Sequence, residues 1–115
     1  MNEKIKKHTI DFTNVKTYFE MHSVIRDSLD FPFYYGCNWD ACWDCLHERI
    51  NQPIHIQIIG LEVLQQDSFS GEGEAFIDLL RDFKHYKNDK YADTILIEII
   101  DQKKRYENNF GIIFK

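Results

Sequence analysis

Apolar residues along the chain alternate between two spacings. Over residues 8–12 every second position is apolar, with Ile10 and Phe12 on one face, the period of a half-buried strand. From Val15 onward the spacing lengthens, and Val15, Tyr18, Phe19, His22, Ile25 and Leu29 recur at intervals of three and four, the stripe of an amphipathic helix. Asn14 is placed to cap that helix, and Pro32 ends it by barring Phe31 from the helical region. His22 falls on the apolar stripe, where a hydrogen-bonded core histidine is expected rather than a ligand. Residues 33–37, with Gly36 and two tyrosines, read as an ordered aromatic loop.

Asn38 offers the N-cap of a second helix reaching about Ile50, with the stripe Trp39, Cys42, Trp43, Leu46 and Ile50 and an acidic opposite face. After Pro53, Ile54, Ile56 and Ile58 alternate with His55 and Gln57 up to Gly60, a second strand. Residues 61–66 suit a short helix and 67–73 a turn-rich loop in which Gly71 and Gly73 break any longer element. Glu74 then opens a helix carrying Phe76, Leu79, Leu80, Phe83 and Tyr86, and the nearly continuous apolar run within residues 93–101 reads as a strand covered on both faces. Helical segments long enough for crossovers separate the strands, so a parallel three-stranded sheet with right-handed connections is the economical topology. Residues 110–114 are too apolar for a free tail. They are predicted to add an edge strand beside residues 94–100, with 103–109 turning the chain.

The chain has 115 residues, 43% of them hydrophobic and 29% charged, without a low-complexity run; this is one globular domain rather than a disordered or fibrous chain. Its apolar runs are far short of the roughly 20 residues that span a bilayer. Thr9 and Asp11 interrupt any secretory apolar segment, so a cytoplasmic location is expected. Three cysteines, an odd number, read as reduced thiols.

The net charge of −5 argues against direct nucleic-acid binding, which needs a basic face. Charge is also segregated. Residues 27–48 hold Asp27, Asp30, Asp40, Asp44 and Glu48 and no Lys or Arg, whereas basic residues cluster at Lys4, Lys6 and Lys7, at Lys84, Lys87 and Lys90, and at Lys103, Lys104 and Arg105. Such an acidic surface is either a solubility feature or a steering field for a cationic partner.

Asp40 and Asp44 stand four apart on one helix, so their carboxylates repel, at about 0.2–0.5 kcal/mol in an isolated helix. The helix dipole favours Asp40 in the first turn but not Asp44. A paired-carboxylate hydrolase is one reading, yet nothing splits the two environments as acid–base chemistry requires. Cys42 and Cys45 make a C-x-x-C, but no second ligand pair completes a zinc site, and a redox dithiol would sit at a strand-to-helix junction. Packing as small hydrophobes is the expected role, with no metal and no cofactor. No glycine-rich phosphate loop, nucleophile elbow or H-E-x-x-H occurs.

The segment FPFYYGCNWDACWDCL, residues 31–46, closely resembles the signature of the barstar family, intracellular inhibitors of the ribonuclease barnase. Weaker similarity runs from about His8 through His22 to Arg81 and Asp82 and the Ile-rich strand. The resemblance implies a barstar-like α/β domain of three-layer α/β/α type, with residues 8–101 as its core and 102–115 as a C-terminal extension. It implies that the loop and second helix plug a nuclease active site, acidic side chains standing where RNA phosphates would. By position, Tyr34, Asn38, Asp40, Trp43 and Asp44 match the family's contact residues, with Asp44 at the dominant one, and Asp82 matches an acid at the interface edge. The implied partner is a cognate ribonuclease or other basic toxin, met by a protein that is monomeric when free and is not an enzyme. The alternative is a barstar-fold interaction module with a non-nuclease target. Three departures point to a partner other than barnase: Glu48 and Arg49 replace the family's Gly-Trp, Cys37 replaces an acid, and the tail continues past Asp101.

Overall fold

A computed structural model describes residues 6–49, 54–86, 95–100 and 112–114. The elements run β1 (Lys6–Asp11), α1 (Tyr18–Ser28), α2 (Trp39–Arg49), β2 (Ile54–Ile59), two 3-10 turns (Leu61–Gln65 and Asp67–Phe69), α3 (Glu72–Tyr86), β3 (Ile95–Ile100) and β4 (Ile112–Phe114). The sheet order is β1-β2-β3-β4 with every pair parallel. Ile10 sits opposite Ile58, and Ile58 opposite Ile99. The α/β class and the parallel three-stranded sheet are as expected, and the apolar C-terminal run adds the fourth strand, with Ile112 opposite Ile97. The expected turn at residues 103–109, Ile50, Pro53 and the outer ends of the third strand lie outside the described residues.

Burial follows the strand period. Ile10, Ile54, Ile56, Ile58, Ile95, Ile97 and Ile99 are buried, whereas Lys7, Thr9 and Asp11 are exposed and His55, Gln57 and Ile59 only partly covered. Coverage of both faces holds at the centre of β3, where Glu98 is buried between Ile97 and Ile99 and accepts a hydrogen bond from His55 Nε2 on β2.

The first helix starts later than its apolar spacing suggests. Val15 is buried but precedes the helix, its N–H bonding the Phe12 carbonyl at 3.1 Å, and Asn14 lies in a turn. The cap is Thr17 instead: its Oγ1 accepts the Glu20 N–H at 3.1 Å while the Glu20 carboxylate accepts the N–H groups of Thr17 (3.1 Å) and Lys16 (2.9 Å). A reciprocal capping box satisfies more orphan donors than a lone Asn does. At the other end Asp30 takes a left-handed conformation (φ 58°) and the Phe31 N–H returns to the Arg26 carbonyl at 2.9 Å. This Schellman-type closure stops the helix before Pro32 acts. His8, buried on β1, donates Nδ1–H to the Ser28 carbonyl at 2.7 Å and ties the sheet to that helix end.

Residues 67–73 are more structured than a loop. Phe69 is buried in the second 3-10 turn, α3 begins at Glu72, and Gly73 lies inside its first turn, where a Cβ would stand 3.4 Å from Leu64. The helix runs through that glycine, and a Cβ there would make only ordinary van der Waals contact. Gly60 and Gly71 share a left-handed φ, 76° and 79°, but differ in surroundings: a Cβ at Gly60 would lie 2.8 Å from the Thr13 backbone nitrogen, and one at Gly71 would meet nothing within 4 Å. Gly71→Ala is therefore expected to cost only the conformational term, about 1 kcal/mol, and Gly60→Ala at least about 2 kcal/mol more, because backbone must move. Chemical denaturation of the two variants checks this; equal losses would contradict the clash.

Candidate protein-binding site

The loop between α1 and α2 is fastened at both ends. Phe31 and Tyr35 are buried with ring centroids 5.3 Å apart, and the Tyr35 N–H bonds the Pro32 carbonyl at 3.0 Å. Phe33 and Tyr34 thus form the central pair of a tight turn. The Tyr35 hydroxyl reaches inward to His22 Nδ1 at 2.7 Å and to the Asn38 carbonyl at 3.2 Å. One proton order satisfies every donor: His22 Nδ1–H donates to the tyrosine oxygen, which donates to the carbonyl. His22 Nε2 is buried without a hydrogen-bond partner; in this tautomer it is an unprotonated acceptor, cheaper to leave unpaired than a donor. Burial pushes the His22 pKa down to about 4 and holds the Tyr35 hydroxyl far above its usual range. His22 is the core histidine expected from its place on the stripe.

Asn38 caps α2 as its position suggested. Its Oδ1 accepts the Ala41 N–H at 2.8 Å and its Nδ2 donates to the Gly36 carbonyl at 3.2 Å. Helix rotation is then set by its apolar residues. Cys42 and Leu46 are fully buried. Trp39 lies between the His22 ring (4.6 Å) and the Phe76 ring, stacked at 5.4 Å, and donates Nε1–H to the Glu72 carboxylate at 2.8 Å. Trp43, half-buried, meets Phe83 edge-on at 6.4 Å and lies 4.2 Å from the His47 ring. These contacts bind α2 to α1 and α3.

Asp40 and Asp44 follow the two tryptophans in sequence, and the helical turn that half-buries Trp39 and Trp43 leaves both acids exposed. Among the described residues no cation is ion-paired with either. Tyr34 is 74% exposed, and Asp82 is exposed on α3 beside Phe83, the residue that Trp43 meets. Of the six candidate positions, Tyr34, Asp40, Asp44 and Asp82 thus present themselves to solvent, while Asn38 also builds the cap and Trp43 also builds the helix–helix seam. Sequence reasoning missed Phe33. At 89% exposure it is the most exposed of the large hydrophobic residues described, its ring 5.6 Å from that of Tyr34; the signal was an aromatic at the first central position of a proline-initiated turn. No three or more His, Cys, Asp or Glu side chains gather as metal ligands among the described residues, and no helix there is long and apolar enough to cross a membrane.

Comparison with known proteins fits this geometry. The family model described as Barstar (barnase inhibitor) matches residues 5–109. The chain belongs to the barstar family. That match runs past Asp101, into the segment read as an extension. A relative from Bacillus subtilis (strain 168), named "Putative ribonuclease inhibitor YrdF", is 30% identical over 105 residues, covering 91% of this chain and 90% of the relative.

No disulfide joins the three cysteines; Cys42 is buried and Cys37 and Cys45 are partly covered. Cys37 has a positive φ of 51° just before the cap. Burial pushes the Cys42 thiol up to about 12, so it carries almost no thiolate at neutral pH and should resist a disulfide reagent in the folded protein. The expected result is the same native thiol count for wild type and Cys42→Ala, and one thiol fewer for the variant after unfolding; a lower native count in Cys42→Ala would contradict the assignment. His22 carries a second expectation. Its folded pKa lies below the ordinary 6.5, so the unfolded chain takes the proton first, and its contribution is intact above about pH 6.5 and lost as pH falls toward 4, by up to about 3 kcal/mol. Denaturation at pH 7 and pH 4.5 should show this loss in wild type and a smaller one in His22→Gln; equal losses in both would contradict it.

Proposed function

We propose that this protein inhibits a cognate ribonuclease, as an antitoxin or immunity protein, by inserting the exposed face of α2 and the preceding loop into the enzyme's active-site cleft. The observation that carries the reading is the pair Asp40 and Asp44, exposed on a helix whose rotation is fixed by Trp39, Trp43, Cys42 and Leu46, with no ion-paired cation among the described residues. Family membership supports it. Two carboxylates one helical turn apart are spaced to meet guanidinium and ammonium groups that otherwise hold successive phosphates, and a charge-assisted, bidentate contact to arginine is the strongest such pairing. In this reading Asp44 is the main anchor and Asp40 its neighbour. Tyr34 and Trp43 exclude water around them, Asn38 holds the helix start, and Asp82 contributes at the rim. The protein itself performs no catalysis and needs no cofactor.

The acidic stretch over residues 27–48 also raises the encounter rate with a basic enzyme, an effect that salt screens. Arg49 stands in sequence where the family has a tryptophan, a cationic residue in place of an aromatic one, and this favours a nuclease other than barnase.

Co-purification from cells that carry the neighbouring genes identifies the partner, and inhibition assays with variants test the mode. Asp44→Ala is expected to fold normally and to lose about 2–5 kcal/mol of binding, the range for stranding a desolvated charge, to which the barnase–barstar pair itself contributes. Asp82→Ala should mainly slow association and weaken its salt dependence. If Asp44→Ala folds and inhibits as tightly as wild type, the α2 face is not the binding surface, and an interaction module with a non-nuclease target is the better account.

A further inference from the structure

We propose that the Phe33–Tyr34 pair is a second recognition element, a platform on which an arginine side chain of the basic partner stacks. The inference extends the proposed function and rests on it for the identity of the partner, but the recognition chemistry comes from the loop itself. Phe33 and Tyr34 are 89% and 74% exposed and occupy the two central positions of the turn closed by the Tyr35 N–H and the Pro32 carbonyl, 3.0 Å apart. Their rings meet edge to face, centroids 5.6 Å apart with an interplanar angle of 83°. The flanking Phe31 and Tyr35 are buried, so the turn is held from both sides while its tip projects. Neighbouring exposed aromatics on a braced turn are the composition and rigidity of a binding hot spot, not of a solvated loop.

The charge around the pair selects what it binds. Residues 27–48 contain no Lys or Arg and five acids; Asp27 and Asp30 are paired with Arg26 and Lys6, and the field that repels anions and concentrates cations comes from the exposed Asp40, Asp44 and Glu48. An aromatic face attracts a cation through its quadrupole, and a planar, weakly hydrated guanidinium stacks where an ammonium does not. With carboxylates at Asp40 and Asp44 on the adjoining helix, the turn adds a second arginine-selective contact, through stacking, to the bidentate pairing those carboxylates can offer. Phe33 is then a specificity-determining residue, and its removal should blunt the preference for arginine over lysine.

The test uses the full chain, a synthetic peptide with two arginines spaced by glycine, and its lysine counterpart, followed through the aromatic NMR resonances. The ring signals of Phe33 and Tyr34 should move saturably with the arginine peptide, which should bind about two- to fivefold more tightly than the lysine peptide. Phe33→Leu, which keeps an apolar side chain without a π face, should reduce that preference, and Phe33→Tyr should keep it. Ring signals that stay still, shifts confined to Asp40 and Asp44, or a preference unchanged in Phe33→Leu would each overturn the proposal. No nuclease is present, so such a result bears on the aromatic pair alone, whereas failure of the proposed function is read from inhibition by Asp44→Ala.

Discussion

The hydrogen-bonded chain from the His22 ring through the Tyr35 hydroxyl to the Asn38 carbonyl sets the geometry on which the rest of the molecule depends. It joins three pieces that local sequence alone would leave independent: a side chain in the middle of α1, the inward-facing end of the loop, and the backbone that starts α2. Because the ring and the phenol are buried, breaking either bond strands a polar group away from water, which costs more than an exposed hydrogen bond contributes. The cluster continues outward. Trp39 lies against the same histidine, Tyr18 caps it from the surface with ring centroids 4.7 Å apart, and the Trp39 N–H is held by Glu72 at the start of α3. The loop is braced by aromatic rings from the helices around it as well as by its own backbone turn.

That bracing explains how an unfavourable surface is maintained. Two carboxylates a turn apart repel, two adjacent aromatics are left in water, and Cys37 and Asp30 hold left-handed backbone conformations at the two ends of the loop. Each feature costs stability, and all lie between Asp30 and Asp44. The opposing side of the same segment is the best packed, with Phe31, Tyr35, Cys42 and Leu46 buried. Strain and exposure on one side of a segment anchored on the other is the arrangement expected of a surface selected for binding rather than for folding.

Much of this was legible in the residues. The strand period of Ile54, Ile56 and Ile58, the stripe of α2, the Asn38 cap and the edge strand at Ile112–Phe114 each follow from one local rule, and the loop and helix signature carried the family. What escaped depended on competition between local signals or on tertiary contact. Val15 continues the apolar spacing of α1 without being helical, because the Thr17–Glu20 capping box satisfies more backbone donors than Asn14 does. Gly73 reads as a breaker but lies inside the first turn of α3, which continues through it. At the candidate site, sequence placed the acids, while the tryptophan contacts that aim them and the display of Phe33 needed the fold.

The central claim is that the face bearing Asp40 and Asp44 occupies the place of RNA phosphates, and competition for the co-purified nuclease tests it most directly. Titrating this protein against the nuclease in the presence of a non-cleavable oligoribonucleotide should weaken its apparent affinity in proportion to oligonucleotide concentration, with no species containing all three components. A stable ternary complex of nuclease, oligonucleotide and this protein, formed with undiminished affinity, would contradict the account.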